Sequence, residues 1–179
     1  LYTSNNNYNE AFGYQAMYST STGYFNQAFG YKALYANTSG TYNVAIGSQA
    51  LTSNTTANNN TAVGYQSLYT NSTGAQNTAV GLYALNSNTA SNNTAYGANA
   101  LRFNTSGTPN DAFGYQALYG NTTGNFNTAV GYSSLQGNTT ASQNTAVGFQ
   151  AGYSNSTSNN LTAIGNAAAY YQTGGSNTA

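Results

Sequence analysis

The sequence predicts an all-β fold, a parallel β-solenoid built as a flattened two-strand β-roll of about ten 17-residue coils. Three observations predict it. An A-x-G triplet recurs along all 179 residues; the apolar segments (TAVG, QALY) are only four or five residues long; and only four charged side chains occur. A fixed short period means one structural unit stacked on its neighbours. Short apolar runs bounded by Gly, Asn, Ser and Thr are the pattern of strands and turns.

The glycine of the triplet serves as an anchor, at Gly13, Gly30, Gly47, Gly64, Gly81, Gly97, Gly114, Gly131, Gly148 and Gly165. Eight of the nine steps are 17 residues and the step from Gly81 to Gly97 is 16, so a one-residue deletion is expected in the polar segment 86–93. The first strand of each coil ends at the anchor. Two residues before the anchor stands Ala in every unit, and four before it Asn in nine units, with Leu161 the exception. The second strand is expected in the segment after the anchor, where Leu occupies the fourth position in seven units and Gly152 and Ala169 break the run. A polar stretch such as NTTGN then closes the coil. The whole of 1–179 reads as a single repeat array, and both of its ends fall inside a unit, so it is read as cut from a longer chain.

Stacked coils align identical side chains at about 4.8 Å. Asn columns then satisfy their amides from coil to coil, whereas charged columns would repel. The near-absence of charge follows from this geometry.

Ala and its successor are both apolar in every unit, although neighbours on a strand face opposite ways. With Ala filling the thin interior, the next column is left outside: Phe12, Phe29, Ile46, Val63, Val80, Tyr96, Phe113, Val130, Val147 and Ile164. Such a stripe is a candidate subunit interface, implying a homo-oligomer, either a trimer or a bundled fibre. The other arrangement puts this column inside and Ala outside.

Composition removes several function classes. Lys32 and Arg102 cannot neutralise a phosphate backbone, which excludes nucleic acid as a partner. Cys and His are absent, and with them disulfides, thiolate chemistry and the usual zinc sites. No cofactor or metal site is expected. No apolar run approaches the ~18 residues of a membrane-spanning helix, so no membrane insertion is expected in this segment. The carboxylates Glu10 and Asp111 share a column six coils apart, roughly 29 Å at ~4.8 Å per coil, too far for a catalytic pair. No hydroxyl has a histidine to activate it. An enzyme is not expected.

Two further columns invite a functional reading. Seven residues after the anchor, Asn37, Asn54, Asn71, Asn104, Asn121, Asn138 and Asn155 lie in N-x-S/T sequons and are candidate glycosylation sites on a secreted surface. The same Asn-Thr-Thr-Gly segments are also good turn formers. Asn59, Asn92 and Asn160 form three more sequons outside that column. Directly after the anchor, Tyr14, Tyr31, Tyr65, Tyr115 and Tyr132 form a candidate aromatic ladder. Such a row can stack on sugars or on itself.

The repeats NTAVG and NVAIG (43–47) resemble the head repeats of trimeric autotransporter adhesins. The longer unit, NTAVGYQAL followed by an aromatic and NTTG, is similar to the repeats of bacterial surface and phage tail-fibre proteins. The likeness extends over essentially the whole chain. It implies a parallel β-roll that trimerises around an apolar centre, and an extracellular, cell-surface or virion-surface location. Together with the residue-level reading, it predicts a non-enzymatic structural protein forming a fibre, stalk or filament by stacking and lateral self-association. The alternative is a glycan-binding adhesin or tail-fibre domain.

Overall fold

The computed structural model describes residues 8–172, and among these it contains no helix. Ten strands follow one another: β1 (Glu10–Phe12), β2 (Gln27–Phe29), β3 (Val44–Ile46), β4 (Thr61–Val63), β5 (Thr78–Val80), β6 (Thr94–Tyr96), β7 (Asn110–Phe113), β8 (Asn127–Val130), β9 (Thr145–Val147) and β10 (Thr162–Ile164). They form one parallel sheet in sequence order. Pairing is strictly in register, Ala on Ala, as in Ala62↔Ala79 and Ala79↔Ala95. The second pair spans the 16-residue step, so the deletion leaves the sheet untouched. The protein is a β-solenoid with a coil of about 17 residues.

One part of the expected coil is different. The segment after the anchor is not a second strand; each coil contributes one strand only. Residues two and four after the anchor have positive φ, for example Gln49 (58°) and Leu51 (51°), as does the residue five before it, such as Tyr42 (57°), except at Pro109. Left-handed residues break the pleat. The gain is that neighbouring side chains need not alternate: Ala50 and Leu51 are adjacent and both fully buried. Backbone pairing survives in another form. Leu51 N donates to the Ser67 carbonyl of the next coil at 2.9 Å, and Gln49 N donates to the Tyr31 carbonyl of the previous coil at 2.8 Å.

The anchor glycines close the strand. Gly64 has φ 130°, and a Cβ there would lie 2.5 Å from the Gly81 carbonyl oxygen. Both the dihedral and the close approach of stacked backbones require glycine.

The interior has an apolar half and a polar half. Ala before the anchor and the Ala–Leu pair after it fill the first, in a continuous cluster from Ala16 to Ala163. Asn fills the second. Asn43, four before its anchor, is fully buried; its Oδ1 accepts from Asn60 N at 3.0 Å, and its Nδ2 donates to the Ala57 carbonyl at 2.8 Å. The same contacts repeat from coil to coil.

Two of the sequence exceptions form a single compensated pair. Leu161 stands where the column has Asn, and Gly152 where it has Leu. Leu161 is fully buried, and its Cδ2 lies 3.2 Å from where a Gly152 Cβ would be. The leucine thus enters the apolar half from the opposite wall. Its backbone N–H still keeps the ladder contact, donating to Asn144 Oδ1 at 2.8 Å.

Candidate functional site

The outward surface offers an apolar and aromatic strip on either side of the anchor. On the strand, alternate residues face out. In β9 the sequence Thr145–Ala146–Val147 reads exposed, buried, exposed. The whole Ala column from Ala28 to Ala163 is buried, so the arrangement with Ala inside is the one adopted. Phe12, Phe29, Ile46, Tyr96, Phe113, Val130, Val147 and Ile164 are exposed, while Val63 and Val80 are half-buried. Tyr96 and Phe113 stack at 5.5 Å between ring centroids.

The tyrosines after the anchor are exposed, and their ladder is broken into blocks. Tyr14 stacks on Tyr31 at 5.8 Å. Tyr115, Tyr132 and Phe149 form a three-ring stack at 5.1 and 5.4 Å. Tyr65 meets Tyr83 edge-on, at 5.4 Å. Ring faces inside a block are occupied by neighbouring rings.

No family model matches the chain, and no curated protein or solved structure is significantly similar to it.

The seven Asn of the turn column are not on the surface. Asn37, Asn54, Asn71, Asn104, Asn121, Asn138 and Asn155 are all fully buried. Asn121 Nδ2 donates to Asn104 Oδ1 at 2.8 Å and to the Gly124 carbonyl at 3.0 Å, and its Oδ1 accepts from Asn138 Nδ2 at 2.8 Å. A glycan on that nitrogen would replace one of its two donated hydrogens and has no room in the folded coil. The expectation of glycosylation in this column is therefore corrected: these residues form a second interior amide ladder facing the first. Hydropathy ranks Asn as a surface residue, but a parallel stack supplies each amide with partners above and below.

The four charges are scattered. Glu10 and Asp111 are exposed, on β1 and β7. The two cations lie over aromatic rings. Lys32 Nζ is 5.4 Å from the Tyr31 centroid and 5.3 Å from Tyr35, and the Arg102 guanidinium is 4.4 Å from Tyr83. These are cation–π contacts, each worth about 0.5–1 kcal/mol at exposed sites. Among the described residues no group of acidic, His or Cys side chains could hold a metal ion, and no helix is long and apolar enough to cross a membrane.

Proposed function

We propose that this chain is a non-enzymatic structural element of an extracellular fibre or stalk, on a cell or virion surface, that self-associates laterally along the strip flanking its anchor glycines. The observation carrying this reading is the outward column from Phe12 to Ile164. The interior is already filled by Ala, Leu and Asn, so this column has no task inside the coil. It runs in register over ten strands, a linear surface suited to another copy of the same linear chain. The likeness of NTAVG and NVAIG to adhesin-head repeats supports a side-by-side trimer. The distance between Glu10 and Asp111 supports a role without catalysis.

Association is tested by comparing the wild type with the Val130→Lys/Val147→Lys pair in sedimentation velocity and electron microscopy. Both residues point outward, so the variant is expected to keep its β spectrum, with a lower melting temperature from the lost association and the two stacked like charges. It should sediment as a monomer where the wild type forms trimers or fibres. Wild-type protein that is monomeric at all concentrations rejects the lateral interface. A glycan-array signal lost on Tyr132→Ala in that monomer would establish the binding-module reading instead.

A further inference from the structure

The ten N-x-S/T sequons divide cleanly by position in the coil. Seven have the acceptor nitrogen sealed in the interior ladder described above. The other three, Asn59, Asn92 and Asn160, sit five residues before an anchor and are exposed. Their backbone is fixed: each has φ of 60–61°, and each N–H donates to a carbonyl of the preceding coil, Thr41, Ala75 and Ser142, at 3.0–3.2 Å. Their side-chain amides, in contrast, make no hydrogen bond among the described residues. We infer that Asn59, Asn92 and Asn160 are the asparagine-linked glycan sites of this chain, a deepening that rests on the extracellular reading above.

Three further features fit this assignment. All three acceptors have Thr at the second following position, Thr61, Thr94 and Thr162. The strands that these threonines begin keep the same Ala-inward register as the others, so modification at the preceding turn asks nothing of the core. No two sites are on adjacent coils. Asn59 and Asn92 precede β4 and β6, and Asn160 precedes β10; the gaps are two and four coils, about 10 and 19 Å at ~4.8 Å each. Glycans on the inward column would have stood on neighbouring coils.

The test is site mapping by mass spectrometry. The chain is secreted from a host with an asparagine-linked glycosylation pathway, then enzymatically deglycosylated in heavy-oxygen water. Label is expected at Asn59, Asn92 and Asn160 and at none of the seven inward Asn. Thr94→Ala should abolish label at Asn92 alone and leave melting unchanged, since Thr94 makes no side-chain hydrogen bond. Label on an inward Asn in protein with a β spectrum overturns the assignment. So does its absence from all three outward Asn when a control sequon appended to the same chain is filled. Electron microscopy of the same preparation reads the fibre separately. Labelled monomers would refute the fibre and keep the glycan sites, and unlabelled fibres would do the reverse.

Discussion

Asn121 illustrates what a single residue does in this molecule. It sits in a column with fully buried neighbours, donates twice and accepts once. Asn121→Ala removes all three bonds and leaves Asn104 Oδ1 without that donor; the expected loss is about 2–4 kcal/mol, read as a lower urea midpoint and largely independent of pH. Asn121→Asp has the same shape but replaces the donor with an oxygen, against Asn104 Oδ1 and the Gly124 carbonyl. Burial and these acceptors raise the folded-state pKa of the new carboxyl above its unfolded value. A raised acid pKa gives a contribution that is present at low pH and lost as pH rises through the folded pKa. The Asp variant should therefore be more destabilised at pH 7 than at pH 4, and a pH-independent deficit would contradict the ladder. The N-x-S/T motif suggests a surface position for these asparagines. The signal that locates them inside is constancy. Columns that face inward change identity rarely, and Ala two before the anchor never does, whereas the outward column five before the anchor ranges over Tyr, Phe, Asn, Gln and Pro.

At the scale of the element, the strand was legible and the segment after it was not. T-A-V-G carries alternation, length and a terminating glycine, and the sheet forms where that pattern stands. Q-A-L carries the same apolar signal, yet its residues alternate in the sign of φ. Hydropathy cannot register this, because left-handed Gln and Leu are disfavoured locally and are held there by the stack. A left-handed non-glycine residue costs roughly 1–2 kcal/mol. Gln150 shows the cost most simply: φ is 53° and its side chain makes no hydrogen bond, while its N donates to the Tyr132 carbonyl at 2.8 Å. Gln150→Gly relieves the dihedral and is expected to stabilise the protein by about 1 kcal/mol. Gln150→Val adds a β-branch to a left-handed residue and should destabilise it by at least as much. Equal melting temperatures for the two variants would mean that the segment relaxes to an ordinary strand.

In the whole molecule, stability is close to a sum of coil-to-coil contacts, so the weakest junction decides where the solenoid opens. That junction is the one imposed by the 16-residue unit. Elsewhere the turn Asn reaches a carbonyl three residues on, as Asn104 reaches Gly107, but Asn88 reaches Ala90, only two on. The missing residue is thus from the turn after Asn88, within the segment the spacing pointed to. One backbone ladder contact lapses there alone. Thr55 N donates to Ser72 O and Thr89 N to Thr105 O, but among the described residues no backbone bond joins Ser72 N to Thr89 O. Asn71 Oδ1 is buried without a partner at this junction, but so is Asn54 Oδ1 at the regular 17-residue step before it, so the amide contact does not follow the deletion. Inserting one glycine between Thr89 and Ala90 restores the common turn length and should re-form the backbone contact. The expected gain is about 1 kcal/mol, one backbone hydrogen bond. Hydrogen exchange separates this from a general effect of sequence: in the wild type the Ser72 amide should exchange faster than those of Thr55 and Thr105, and in the insertion variant the three should converge. An insertion that lowers the urea midpoint, or leaves Ser72 unprotected, would show that the solenoid is adapted to its short coil and that the lapsed backbone contact is not what limits its stability.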